Sequence, residues 1–299
     1  MSDTGGEEAL EEAFSAVADE TRFGILRALW AAHTEDLGTV HGPTLEPVSF
    51  SRLRERAGVQ DSGRFNYHLD RLVPRFVRSQ AGGYVLTDAG ARAVGVAVSG
   101  VYTGGDTSLD TTEMDDCTEP DCSGTLRARY TDGRMTVECG TCQVNAVVSV
   151  PPVVVETHDI GTDPDTVQRF ALTRMQRIVR GFCTLCSGPL DRAVVGPLEE
   201  SDDARVTVTH TCEECGNVVR TTAVVLVTDH PAVVSLLDDA GIDYRDIAFW
   251  RRPQGVEYRE RLRNEDPLRV AVVVTVENEC LTLVMDEHLQ VVERHRESV

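Results

Sequence analysis

The chain opens with helical periodicity. In residues 7–18, Leu10, Phe14 and Val17 recur on one face. Asp19 is placed to cap a second helix, TRFGILRALWAA, whose Phe23, Leu26, Leu29 and Trp30 have core spacing. Residues 34–47 are rich in Gly, Pro and Thr and predict a loop. Ser49 is a plausible N-cap for FSRLRERA, with Phe50, Leu53 and Ala57 inward and Gly58 ending the helix. Asp61 or Ser62 caps GRFNYHLDRLV. At about 100° per residue, Phe65, Leu69 and Leu72 form its buried stripe. Gly63, Arg64, Tyr67 and Arg71 lie opposite, with Asn66 and His68 on the flanks. Pro74 closes the helix, and the period then changes to two. RFVRS and YVLT read as short strands around the turn pair Gly82-Gly83. Thr87 caps DAGARAVGVAVSGVY, whose small and β-branched residues suit close helix packing, as in a dimer seam. Residues 103–116, TGGDTSLDTTEMDD, are polar and acidic and read as a linker.

Farther along, Asp163 or Asp165 caps a helix running to Arg180, with Val167, Phe170, Ala171, Met175 and Ile178 on one face. TDHPAVVSLLDDAGI reads as a helix ended by Gly241. VEYRERL, LRVAVVVTV, LTLVMD and QVVERH then alternate as strands of an antiparallel sheet, with a turn around Asn278. This terminal unit is suited to bind an effector, to pair protomers, or to do both.

Charge sharpens the picture. The 299 residues carry 49 acids against 29 basic residues, a net charge of −20, and every basic residue is arginine. Such an acid excess repels itself in dilute buffer and is screened in concentrated salt, so the chain looks like part of the acidic proteome of a salt-in halophile. No apolar run is long enough to span a bilayer, and MSDTGGEEALEE lacks the pattern of a signal peptide, so a soluble, cytoplasmic protein without membrane contacts is expected. Residues 48–92 go against the acidic trend. They hold eight arginines and four acids, so the window is 8 − 4 = +4 and the remainder −24. A local basic island of this kind faces a polyanion. Its layout of helix, turn, helix and glycine-tipped hairpin is that of a winged helix-turn-helix, with double-stranded DNA as the expected partner.

Residues 10–102 resemble the ArsR-like winged-helix transcription regulators. The resemblance rests on ADETRFGILRAL, FSRLRERAGV, FNYHLDRLV and YVLTDAG, and covers about a third of the chain closely. DSGRFNYHLDRLV is especially similar to regulators abundant in halophilic archaea, and the rest of the chain looks like the zinc-ribbon extensions some of them carry. The resemblance implies a homodimer that places two recognition helices in successive major grooves, about one turn apart. It carries Arg64, Asn66, Tyr67 and His68 onto the recognition-helix contact region and Arg78 onto the wing. Arg71 and Arg75 join Arg78 as expected phosphate contacts. Metal-sensing relatives carry cysteine ligands near the helix before the recognition helix. Here no cysteine precedes Cys117, which excludes thiolate sensing within this region.

Eight of the nine cysteines form close pairs. Cys117-x4-Cys122 with Cys139-x2-Cys142, and Cys183-x2-Cys186 with Cys212-x2-Cys215, have the spacing of four-cysteine zinc ribbons. Cys122-Ser123-Gly124-Thr125-Leu126 recurs as Cys186-Ser187-Gly188-Pro189-Leu190, an internal duplication. A disulfide framework does not suit a reducing cytosol, and a thioredoxin-type CxxC needs a βαβ context that is missing. Two structural Zn2+ ions are therefore expected, in closed sites without metal-centred chemistry. Cys280 stands alone and reads as a small buried hydrophobe, while His210 is a conceivable substitute ligand beside Cys212. No catalytic constellation emerges, so the protein reads as a non-enzyme.

The expected fold class is α+β: a winged helix-turn-helix, two four-cysteine zinc ribbons and a C-terminal antiparallel α+β unit. The boundaries fall at 1–102, a linker 103–116, ribbons at 117–150 and 183–228, a connecting helical segment at 151–182, and the terminal unit at 229–299. The expected function is dimeric, sequence-specific regulation of transcription. Two other readings stand beside it: a basal factor that contacts the transcription machinery, and a zinc or redox sensor that uses one ribbon as its switch.

Overall fold

The computed structural model describes residues 4–35, 46–103, 107–117, 119, 122–142, 145–158, 165–197, 205–247, 250 and 255–298. Among them it contains eight α-helices and four antiparallel sheets. None of these helices is long and apolar enough to cross a membrane. The chain divides into two units, Met1–Gly105 and Asp106–Val299.

The first unit contains α1 (Thr4–Val17), α2 (Glu20–Glu35), α3 (Phe50–Arg56), α4 (Ser62–Leu72), β1 (Val77–Gln80), β2 (Gly83–Leu86) and α5 (Asp88–Val98). Its caps follow from short-range chemistry. Asp19 accepts from the Arg22 N–H at 2.9 Å, Ser49 from Arg52 at 3.4 Å, Asp61 from Arg64 at 2.5 Å and Thr87 from Gly90 at 3.1 Å. The α2 helix supplies the centre of the core through Ile25, Leu26, Leu29 and Ala32, against Leu53, Phe65, Leu69 and Leu72. Trp30, expected inward, is 40% exposed, because Ile25, Leu26, Leu29 and Ala32 already form the inward seam at helical spacing. Phe50 and Phe65 meet edge to face, with centroids 5.0 Å apart. Val48 pairs with Tyr84 through two 2.9 Å backbone bonds and adds an isolated bridge on the free edge of β2. That approach requires glycine next door: Gly83 has φ +148, and a Cβ there would lie 2.1 Å from the Val48 carbonyl oxygen. The predicted loop 34–47 lies mostly outside the described residues.

The second unit begins with a sheet ordered β3 (Leu109–Asp116), β4 (Thr125–Thr131), β5 (Arg134–Cys139) and β6 (Asn145–Ser149). The expected linker 103–116 is corrected here, since most of it is the edge strand β3. Among its described residues Leu109 and Met114 contribute to the core, too few for the strand to be recognised by alternation. Two helices follow, α6 (Pro152–Thr157) and α7 (Asp165–Val179), of which only α7 was expected. One face of the sheet, with Leu126, Ala128, Tyr130, Met135 and Val137, packs with Val167 and Ala171 of α7 and with Trp250. Asp163 lies outside the described residues.

A second sheet, β7 (Leu190–Pro197), β8 (Val206–Cys212) and β9 (Val218–Thr222), leads into α8 (Pro231–Asp239) and a four-stranded meander. The meander is β10 (Val256–Glu265), β11 (Leu268–Val276), β12 (Glu279–Met285) and β13 (Val291–Ser298). Val206 and Val208 share one continuous core with Val270, Val272, Val274, Leu281, Leu283 and the α8 residues Val233, Leu236 and Leu237. No core boundary therefore falls at 228/229. Glu260, buried on the core face of β10, joins the two sheets by accepting from the Val206 N–H at 2.6 Å and the Val224 N–H at 2.8 Å. Cys280 is half-buried rather than buried, paired across the sheet with Thr275 and Glu297 instead of facing the core.

Candidate metal centres and nucleic-acid interface

The cysteines converge in two groups of four: Cys117, Cys122, Cys139 and Cys142, and Cys183, Cys186, Cys212 and Cys215. Within each group all sulfurs lie within 4.8 Å of one another. The close contacts are 3.6 Å for Cys117–Cys142 and Cys122–Cys139, 3.8 Å for Cys183–Cys215 and 3.4 Å for Cys186–Cys212. A tetrahedron built on metal–sulfur bonds of about 2.3 Å has edges of about 3.8 Å, so both shells fit one metal ion each. All eight are free thiols.

The local backbone explains why the duplicated motif folds this way. In the second centre the Ser187 N–H reaches the Cys183 carbonyl at 3.1 Å, and the Gly216 N–H reaches that of Cys212 at 3.0 Å. Ser187 and Gly216 both adopt positive φ, 67 and 68, so each knuckle turns back immediately after its second cysteine. Cys183 N–H then bonds the Gly188 carbonyl and Cys212 N–H that of Asn217, both at 2.9 Å, which closes the two knuckles alike. The longer x4 knuckle closes at one remove, from Cys117 N–H to the Gly124 carbonyl at 2.8 Å. The repeated glycine is a steric necessity. A Cβ on Gly124 would lie 2.7 Å from Cys139 Sγ, and one on Gly188 would lie 2.7 Å from Glu214 Cγ and 3.3 Å from Cys186 Sγ. Sequence reading noted the echo without its reason.

Backbone amides favour ionisation of one sulfur in each centre, while Cys117 and Cys122 in the first and Cys186 and Cys215 in the second are raised. The Cys139 thiol is pulled down to about 6 by the N–H groups of Cys142 and Thr141. Burial opposes ionisation of Cys183, yet the N–H groups of Cys186 and Leu185 hold it down to about 6. Each centre thus has one thiol ready to act as a thiolate ligand near neutral pH. Helix α7 braces the second centre: Arg177 donates to the Cys183 carbonyl at 3.0 Å and to Ser187 Oγ at 2.7 Å, and Arg174 to Thr184 Oγ1 at 3.1 Å. Neither arginine was singled out from sequence, because the pairing depends on how the helix docks. His210 stands outside the four ligands. It is fully buried with Nε2 2.9 Å from Thr221 Oγ1, and burial, with Arg192 nearby, lowers its pKa to about 4.

On α4, Arg64, Asn66, Tyr67 and Arg71 share exposure while Phe65, Leu69 and Leu72 are buried. Arg71 lies over the Tyr67 ring at 5.4 Å, Asn66 donates to Asp70 at 2.8 Å, and Arg64 reaches Thr21 Oγ1 at 3.4 Å. Arg78 is exposed on β1. One expected contact needs correction, and another residue, Arg75, is exposed but also engaged within the protein. His68 is 8% exposed, one helical turn from Phe65 on the inward side, with Nδ1 3.3 Å from Asp19 Oδ1. It belongs to the interior, not to the outward face. Arg75 is engaged with α1, donating to the Ala9 carbonyl at 3.0 Å and lying 3.6 Å from Glu12.

Fold and site together define an α+β protein that couples a helical unit carrying a β-hairpin to a second unit with two tetracysteine centres. The chain belongs to the family described as domain of unknown function (DUF7351), whose model matches residues 115–291 and spans both centres. Residues 10–97 match a second model, domain of unknown function (DUF7347). No curated protein and no solved structure matches the chain.

Proposed function

We propose that this chain is a homodimeric, sequence-specific DNA-binding transcription regulator of the ArsR-like winged-helix type, with Zn2+ in both tetracysteine centres. The observation that carries the reading is the division of α4. Its inward residues anchor the helix in the core, while Arg64, Asn66, Tyr67 and Arg71 project outward with the donors that read base edges and phosphates. Arg64, Asn66 and Tyr67 read the major groove, and Arg71 with Arg78 on the hairpin holds the backbone. Apolar exposure supports the second copy: Leu10 and Phe14 on α1 are each 58% exposed, and Val98, Val101 and Tyr102 at the end of α5 are 65%, 56% and 73% exposed. The all-thiolate donor sets favour zinc, which staples each small sheet without an open position for chemistry.

In concentrated salt, counterion release contributes little, so base and shape readout carry an unusual share of the affinity. Selection of bound duplexes in concentrated KCl tests the reading. Wild-type protein enriches a two-fold-symmetric site with half-sites about one turn apart. Arg64→Ala relaxes one position at a cost of about 1–3 kcal/mol. Failure to enrich any sequence, or an unchanged preference in Arg64→Ala, refutes it.

A further inference from the structure

The outer face of the β3–β6 sheet holds a constellation that neither the metal centres nor the DNA reading uses. In the β4–β5 register Arg129 lies opposite Thr136, and Thr131 opposite Arg134. Opposed residues stand about 4.5–5.5 Å apart at Cβ and diagonal ones about 7–8 Å. The two arginines therefore stand at one diagonal of a square of backbone positions and the two threonines at the other. Arg129, Thr131 and Arg134 are exposed and Thr136 half-buried. Together with Asp132 they line an open concavity of about 480 Å³. Among the described residues none of the four side chains has a hydrogen-bond or ion-pair partner. By contrast, Arg127, two positions back on the same face of β4, is paired with Glu113 at 3.3 Å. The lining sums to 2 − 1 = +1 within a chain of −20.

The internal duplication supplies a control. Counted from Cys122 and Cys186, Arg129 corresponds to Ala193; counted back from Cys139 and Cys212, Arg134 corresponds to Thr207 and Thr136 to Thr209. The register agrees, since Ala193 pairs with Thr209 as Arg129 pairs with Thr136. The scaffold forms without either arginine, so folding does not require them.

We propose that Arg129, Arg134, Thr131 and Thr136 form a binding site for a phosphate group. Planar guanidinium forks grip a tetrahedral oxyanion bidentately, and the diagonal arrangement lets two forks take it from opposite sides while the hydroxyls donate between them. Chloride also accepts from guanidinium N–H groups but offers no set of tetrahedral oxygens, so phosphate is expected to compete with it in concentrated KCl. The phosphate comes either from a nucleic-acid backbone or from a free phosphate. The site does not depend on the DNA reading of α4.

The test uses the full-length, zinc-loaded protein in concentrated KCl with two probes, inorganic phosphate by calorimetry and a duplex of arbitrary sequence by fluorescence anisotropy. Arg129→Gln combined with Arg134→Gln is expected to weaken at least one probe by about tenfold or more. Thr136→Val, which keeps both arginines, is expected to weaken it several-fold, while Arg127→Gln leaves it unchanged. Zinc content and near-UV circular dichroism confirm that the variants fold. Loss of phosphate binding identifies a free phosphate as the source. Loss confined to the duplex, with a salt dependence shallower by about two charges, identifies a nucleic-acid backbone. If the wild type binds neither probe, or the double variant binds both as the wild type does, the proposal is overturned. Arg64→Ala is expected to leave the phosphate titration untouched, so failure of the α4 reading is separable.

Discussion

Glu260 is the residue whose removal should most affect the second unit. It sits on the core face of β10, 7% exposed, and its two carboxylate oxygens accept from Val206 at the start of β8 and Val224 in the turn after β9. A hydrogen bond to a charged group contributes about 1.5–3 kcal/mol, so the pair amounts to about 3–6 kcal/mol in gross terms. Replacement by leucine removes both acceptors and leaves two backbone N–H groups unpaired, but it relieves the burial of a carboxylate and adds apolar contact. The net loss for Glu260→Leu is expected at about 2–4 kcal/mol. Glu260→Gln keeps the shape and one acceptor, so it should cost about 1–3 kcal/mol, the penalty of one unpaired donor. Urea denaturation of zinc-loaded protein in concentrated KCl measures both, with the midpoint falling and the slope unchanged. Because β8 ends at Cys212, a metal ion held in the second centre should also leave faster in both variants. If Gln and Leu both unfold within about 0.5 kcal/mol of the native protein, the clamp carries no stability and the reasoning fails.

Gly83→Ala should destabilise the first unit by more than about 2 kcal/mol, seen as a lowered thermal midpoint, because its Cβ would lie 2.1 Å from the Val48 carbonyl oxygen. An unchanged midpoint would mean that the Val48–Tyr84 bridge is dispensable. Arg177→Ala should speed zinc release several-fold for one of the two metal equivalents, followed with a chromophoric chelator, since Arg177 braces only the Cys183–Ser187 knuckle; equal acceleration of both equivalents would contradict that. Dilution from about 2 M to 0.1 M KCl lengthens the screening distance severalfold, to about 10 Å, and should lower the melting temperature of a chain of net charge −20. A melting temperature indifferent to KCl would remove the salt-adaptation argument.

What the sequence made legible was local. The caps at Ser49, Asp61 and Thr87 depend on residues three positions apart, and the cysteine knuckles on two to four intervening residues, so each could be read without knowing the fold. His68 was placed on the helix flank and carried to the contact region by the resemblance alone, whereas its spacing, three residues from Phe65, sets it on the inward side. The strand β3 was hidden because an edge strand with two core contacts scarcely alternates. Glu260 was invisible for a different reason: its partner Val206 is 54 residues away, and only the docking of β10 on β8 brings them together. The Arg129–Arg134 diagonal likewise required the β4–β5 register.

The duplication separates what the tetracysteine scaffold requires from what it has been adapted to carry. Common to both copies are the cysteines, the glycine that leaves room for sulfur, and the backbone bond closing each first knuckle. The copies differ at matched positions on both faces. On the inner face, the apolar cross-strand pair Ala128–Val137 of the first copy is replaced by Arg192–His210 in the second. Arg192 donates to the Ile178 and Val179 carbonyls, so the second copy holds the C-terminal end of α7, where a helix favours a cation. Burial keeps His210 neutral, and the neighbouring Arg192 charge acts in the same direction. On the outer face the exchange runs the other way, with arginines in the first copy where the second has Ala193 and Thr207. One copy has therefore turned Arg192 inward to fix a helix, while the other holds Arg129 and Arg134 outward without a partner among the described residues. The proposed phosphate site would account for this outer pair, and solvation alone would account for it if the double arginine variant bound both probes as the native protein does.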